Sequence, residues 1–288
     1  MKLRALTALV LIPPVVYLIV WSPLWLFLAA LLLVVERTAH EYFGLSEAAG
    51  FGGFRWLGYA GCGLLCLAQV GDLHADVPAA LAPGTTVLML AVLLVPASLT
   101  LALLGAGELR KYLAAACSTV FGIFYVGLML SWLVPLRSSP AIAQAAAGAI
   151  SPRYLLLFMF AVIWAGDIFA YLVGRGIGRR LLFPRISPKK TLEGSLGGLA
   201  GSLLVAWVMA RWWWKTPDLK TAMLLAGIVA VAGQVGDLVE SALKRSADVK
   251  DSASLLPGHG GLLDRIDSLI FGAPALWLAL ALMHAWRS

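Results

Sequence analysis

The sequence predicts an all-α, polytopic integral membrane protein with about nine transmembrane helices, and three observations carry that prediction. Hydrophobic residues make up 61% of the 288-residue chain, and its mean hydropathy is +0.89. Charged residues make up only 13%, against roughly 25% in a soluble domain. The apolar residues gather into long runs near the length of about 20 that a helix needs to cross a bilayer. Eleven Trp suit the interfacial belts of such a protein. A formal charge of +7 does not imply a nucleic-acid partner, because the basic residues of membrane proteins collect in cytoplasmic loops. Cys62, Cys66 and Cys117 lie in or beside apolar runs and read as small buried residues, with no spacing that suggests zinc or a disulfide.

Lys2 and Arg4 precede an apolar run that reaches Val35, with Trp21-Ser22-Pro23 inside it. No small-residue cleavage site ends a short apolar core, so the segment is expected to be retained. It is too long for one upright span, and a tight hairpin, 5–21 and 23–36, turning at Ser22-Pro23, fits it better. Glu36 to Arg55 is mixed and reads as an interfacial helix and loop; His40 beside Glu41 could suggest chemistry, but a solvated His in a loop is the stronger reading. Further spans are expected over 56–71, 86–104 and 118–136. The Asp72, His74, Asp76 run between the first two of these has ligand spacing but no basic partner, and a solvated loop is the stronger reading.

The sixth span, 154–173, contains Asp167, with Tyr171 one turn further on. An ionised Asp deep in a bilayer is costly, about 2.5–3.5 kcal/mol on insertion scales, so it should face the protein interior. A functional role and a structural helix–helix contact are nearly balanced for it. Gly174-Arg175-Gly176-Ile177-Gly178-Arg179-Arg180 and Ser187-Pro188-Lys189-Lys190-Thr191-Leu192-Glu193-Gly194 follow. Glycines, Ser/Thr and clustered cations suit a phosphate-rich ligand at a membrane surface. Spans over 196–210, 219–235 and 268–286 complete the chain, which reads as one membrane domain, 1–288, with N-terminal spans in 5–136 and a catalytic part in 153–288.

The last two spans enclose the most polar stretch, Gly236 to Asp267. On a helix Asp237, Ser241, Lys244 and Arg245 line one face, and Asp264 and Asp267 likewise share a face. Pro257-Gly258-His259-Gly260-Gly261 between them must turn tightly. Carboxylates hold a hard cation, while Lys and Arg neutralise phosphate oxygens. An amphipathic interfacial helix followed by a charged loop accounts for the same residue types equally well. In that reading Asp264 and Asp267 only complement the dipole of the last helix.

A resemblance separates these readings. Ser241-x-Leu243-Lys244-Arg245, Lys250-Asp251 and Leu256-Pro257-x-His259-Gly260-Gly261-Leu262-x-Asp264-Arg265-Ile266-Asp267 resemble the signature of the phosphatidate cytidylyltransferases, the CDP-diacylglycerol synthases. The Asp167–Arg175 and Ser187–Gly194 runs resemble a second block of that family. The resemblance implies transfer of CMP from CTP to phosphatidate, with Mg²⁺, a second cation alongside it, and a homodimer. It implies that Asp237 and Asp264 are cation ligands, with Asp267 a ligand or a carboxylate just behind one. Ser241, Lys244 and Arg245 would contact phosphates, and His259 with Gly260 and Gly261 would form a turn that phosphate can approach. Lys189, Lys190, Lys250 and Arg265 are further candidates for phosphate or lipid headgroup. Two rivals are a CTP-dependent lipid kinase, which moves only the terminal phosphate, and a transporter, whose charges would lie within broken spans.

Nine spans put sixteen of the 22 Lys and Arg on one side. Positive-inside bias then places the N-terminus and both basic blocks in the cytoplasm and the C-terminus outside. A bacterial inner membrane, with the active site facing the cytoplasm, is the expected location.

Overall fold

A computed structural model describes residues 2–74, 85–105, 108–139, 151–212, 218–253 and 260–287. The chain is a mostly helical, polytopic integral membrane protein. Among the described residues, six helices are long and apolar enough to cross a membrane. Contacts divide the chain into two compact units. One comprises Met1–Leu18, Ser22–Pro135 and Leu243–Arg265, and the other Ile19–Trp21, Leu136–Ala242 and Ile266–Ser288.

In the first unit α1 (Lys2–Val20) and α2 (Leu24–Ala48) are separated at Trp21–Pro23, where the sequence places the hairpin turn. Ser22 Oγ donates to Leu18 O at 2.6 Å, and Pro23 stands at the N-cap of α2. The charges after Glu36 do not interrupt α2. Its buried face, Phe27, Leu31, Val35, Thr38, Tyr42 and Leu45, keeps helical spacing to the end. The expected interfacial loop shrinks to residues 49–54.

Helices α3 (Arg55–His74) and α4 (Thr85–Gly105) pack through Leu65, Val87, Ala91 and Leu94, joined by Ile123. Asp76, and with it the end of the Asp72-x-His74-x-Asp76 run, lies outside the described residues. The next span is one apolar stretch built of pieces: α5 (Leu109–Gly122), a π-helical turn (Ile123–Leu128), α6 (Met129–Ser131) and α7 (Leu133–Ser138). Within the π turn Gly127 lies against α3 so closely that a Cβ would come 2.7 Å from Cys62 Cα.

In the second unit α8 (Pro152–Ile177) packs along α9 (Leu192–Trp212) through small residues, as membrane helices without a hydrophobic drive between them do. A Cβ on Gly198 would lie 2.8 Å from Gly166 O, and Ser202 Oγ donates to Val162 O at 2.8 Å. Between them runs a short antiparallel hairpin, β1 (Leu181–Phe183) and β2 (Ser187–Thr191). Thr191 Oγ1 then accepts the Gly194 N–H at 3.1 Å and caps α9. Helices α10 (Leu219–Ser246) and α11 (Leu263–Arg287) extend past their apolar runs at the ends nearest Gly236–Asp267. Arg137 and Arg153 donate to Ile19 O and Val20 O at 3.1 and 2.9 Å, satisfying the last carbonyls of α1.

Candidate functional site

Polar chemistry gathers at two places, one in each unit. In the second unit α10 brings Asp237 and Glu240, three residues apart, to one face, and α11 supplies Asp267. One oxygen from each carboxylate lies within 4.8 Å of the others. Backbone contact makes this possible: a Cβ on Gly236 would lie 2.5 Å from Asp267 O. Glu240 is 1% exposed and Asp267 8% exposed, a setting in which carboxylates need a counter-charge. Lys190 of β2 supplies one, its Nζ 2.5 Å from Asp237 Oδ2. Ser268 N donates to Asp267 Oδ1 at 2.7 Å. Asp167 of α8 lies near enough to act on Asp267 electrostatically. An all-oxygen set of three converging carboxylates fits a hard divalent cation and not a soft one.

Ser241 is buried one turn beyond Asp237 on α10. Lys189 is exposed on the hairpin beside Lys190. The base of the hairpin is tied down by Glu193, whose Oε2 accepts the N–H groups of Arg179 and Arg180 at 3.0 and 3.1 Å. Asp167 and Tyr171 lie one turn apart on α8 and are both exposed, so Asp167 does not face the protein interior as the cost of burying it in a bilayer predicts. Tyr171 accepts from Arg175 Nη1 at 3.1 Å.

In the first unit the second cluster forms around Asp264, in the first turn of α11. Its Oδ1 pairs with Lys244 Nζ. Its Oδ2 accepts from Ser252 N at 3.0 Å, Ser252 Oγ at 2.8 Å and Gly261 N at 2.8 Å. Gly260 has φ +74°, a conformation that glycine adopts without strain. A Cβ there would also lie 2.7 Å from Asp264 Oδ2. Arg245 Nη1 donates to Val249 O at 2.8 Å, while Lys250 and Arg265 are exposed. His259 lies outside the described residues.

The structure therefore collects Asp237 with Asp267, and Lys244 with Asp264. It adds two residues that the sequence reading did not place at a site, Glu240 and Glu41, and an ion pair for one that it did, Lys190. Glu240 was detectable, since it repeats the i, i+3 spacing of Asp264 and Asp267. The pairing of Lys190 with Asp237 was not, because it depends on the hairpin. Glu41 falls in a stretch that the sequence reads as an interfacial helix and loop, yet its side chain is 1% exposed. It accepts from Leu262 N and Leu263 N at 3.0 and 2.8 Å.

With this geometry in view, comparison with known proteins is informative. The model of the cytidylyltransferase family matches residues 2–283. A phosphatidate cytidylyltransferase of Staphylococcus saprophyticus is 33% identical over 280 residues, covering 97% of this chain and 99% of that protein. Proteins of the same name from Synechocystis sp. and Bacillus subtilis are 39% and 40% identical over 196 and 161 residues. Those two matches span 59% and 55% of this chain, but only 64% and 55% of the relatives' own length.

Proposed function

Because the chain belongs to the cytidylyltransferase family, we propose that it transfers CMP from CTP to phosphatidate, giving CDP-diacylglycerol and pyrophosphate. The observation that carries this reading is the convergence of Asp237, Glu240 and Asp267 beside Lys190, at the end of apolar helices. A lipid substrate stays in the bilayer and CTP is a soluble polyanion, so the chemistry belongs where apolar helices give way to charged ends.

In the proposed reaction an oxygen of the phosphatidate phosphate attacks the α-phosphorus of CTP. The bond from that phosphorus to the β-phosphate bridging oxygen breaks, and pyrophosphate leaves with its electron pair. A phosphate monoester is already ionised at neutral pH, so no strong general base is required. A divalent cation, when bound, would supply charge neutralisation for the phosphates. Asp237, Glu240 and Asp267 are the residues that would hold it, and the resemblance implies Mg²⁺, a hard cation that takes oxygen ligands. The resemblance adds Asp264 to the ligands and a second cation to the first. Lys190 reaches Asp237 of that set and would pass its charge to an incoming phosphate. Lys244, Arg245 and Ser241 serve as further phosphate contacts, with Lys189, Lys250, Arg265 and the His259-Gly260-Gly261 turn as outer ones. Asp167 and Tyr171 complete the set from α8.

The finer topology belongs to the same reading. It has nine crossings, with α1, α2 and α3 added to the six strongly apolar spans, and one membrane domain that pairs as a homodimer. The N-terminus and active site face the cytoplasm of a bacterial inner membrane, and the C-terminus faces outward. The test is an assay with CTP labelled at the α-phosphorus, on purified protein with phosphatidate and Mg²⁺. Label should appear in the lipid. A lipid kinase would leave the lipid unlabelled from the α position and labelled from the γ position, and that result would overturn the reading.

A further inference from the structure

Glu41 stands in the N-terminal half, more than 200 positions before the turn it holds, on the α2 face that carries Thr38, Tyr42 and Leu45. A carboxylate buried to that degree must be matched by donors. Its oxygens lie 3.0 Å from Leu262 N, 2.8 Å from Leu263 N and 2.8 Å from Ser252 Oγ, with Arg37 Nε at 3.4 Å one turn earlier on the same helix. Leu262 immediately precedes α11 and Leu263 opens it, where backbone N–H groups have no partner within the helix. Glu41 thus caps α11 from another helix, with the charge that the helix dipole favours. Gly261 is the residue that permits this approach, since a Cβ there would collide with Glu41 Oε2 and Ser252 Oγ.

The same hydroxyl joins Glu41 to the Asp264 cluster. Ser252 Oγ is 2.8 Å from both Glu41 Oε2 and Asp264 Oδ2, so one hydroxyl stands between the two carboxylates with a single proton to donate. Ser252 N and Gly261 N, on either side of Glu41's contacts, both donate to Asp264. Asp264 in turn pairs with Lys244. We infer that Glu41 is a positioning residue for the nucleotidyl transfer, acting through Ser252 and the Gly261–Leu263 backbone to set Asp264 and Lys244. This rests on the function proposed above.

The test uses the full chain with Glu41→Ala, Glu41→Gln and Ser252→Ala. Two quantities are measured: transfer of α-label to phosphatidate, and hydrogen exchange at the Gly261–Leu263 amides. Displacing the turn should lower kcat about 10- to 100-fold for Glu41→Ala, the cost of a misplacement on the order of 1 Å, with KM for CTP within about threefold of the parent. Exchange at Leu262 and Leu263 should quicken while α8 and α9 keep their protection. Glu41→Gln, which keeps one acceptor oxygen, should fall between Glu41→Ala and the parent. Ser252→Ala, which strands no buried charge, should lower kcat about tenfold at unchanged melting temperature, and it decides the matter should Glu41→Ala fail to fold. A kcat within about twofold of the parent, a loss that merely follows the unfolded fraction, or a loss without faster exchange would overturn the inference. If the parent itself moves no α-label to lipid, the proposed reaction fails. Exchange alone then decides: faster exchange at Leu262 and Leu263 in Glu41→Ala supports positioning, and unchanged protection overturns it.

Discussion

At the scale of single residues, carboxylate placement divides the work. Asp237, Glu240 and Asp267 offer oxygens to a common point, and Lys190 pairs with Asp237 beside it. Removing one negative charge without changing shape therefore tests the cation reading directly. Glu240→Gln should raise the Mg²⁺ concentration for half-maximal activity by about 10- to 100-fold, the usual cost of altering a metal site. A titration superimposable on the parent's would remove Glu240 from the cation site. Asp264 differs because its oxygens already hold Lys244, Ser252 and Gly261. Asp264→Asn keeps the size but leaves the Lys244 ammonium without its anion. It should lower activity by about 100-fold or more, and cost about 1–3 kcal/mol of stability, because a buried charged group loses its partner. Activity close to the parent's at a temperature where the variant is folded would reduce Asp264 to a helix cap. For Lys244→Ala, a role at phosphate predicts a higher KM for CTP or phosphatidate, or a lower kcat, in a protein that still inserts and purifies. Unchanged kinetics would make Lys244 a surface anchor.

At the scale of elements, the site depends on helices meeting backbone to backbone. Gly236 is the contact that holds α10 against α11 beside Asp237 and Asp267. Gly236→Ala should push those helices apart, costing about 1–3 kcal/mol as overpacking does and weakening Mg²⁺ dependence along with it. A folded Gly236→Ala with parental Mg²⁺ affinity would show that this contact does not set the carboxylate geometry. Long apolar runs made the spans legible in the sequence. The i, i+4 and i+3 spacings made Asp237 and Asp264 legible as helical residues. The hairpin was not legible, since Ser187-Pro188-Lys189-Lys190-Thr191 has no alternating apolar pattern and contains a proline, which only an edge strand tolerates. Glu41 was hidden for a different reason. Local sequence reports the polarity of a side chain, whereas its burial depends on donors at 252, 262 and 263. The end of α2 was misjudged for the same cause: charges after Glu36 suggested solvent, but Thr38, Glu41 and Tyr42 are buried.

At the scale of the whole molecule, charge distribution and chemistry must agree. CTP is cytosolic, so the segment bearing Lys244, Arg245 and Lys250 has to face the cytoplasm for the proposed reaction to run. Sixteen of the 22 Lys and Arg fall on that side if nine crossings are made, and an excess of this kind is what fixes orientation during insertion. An even number of crossings would put the two ends of the chain on one side and weaken that bias, because Lys2 and Arg4 would leave the basic side. Cysteine accessibility in intact cells tests the side on which the Lys244–Lys250 segment lies and whether α11 crosses. Cys62 and Cys66 are buried, but Cys117 is exposed and must first be replaced by serine so that it contributes no background. In that background a cysteine at position 250 should resist an impermeant thiol reagent until the membrane is opened, and one at position 288 should react in intact cells. Reaction at 250 from outside would invert the topology and separate the phosphate-handling residues from their nucleotide. Protection of both positions would show that α11, the helix that separates them, does not carry the chain across the membrane.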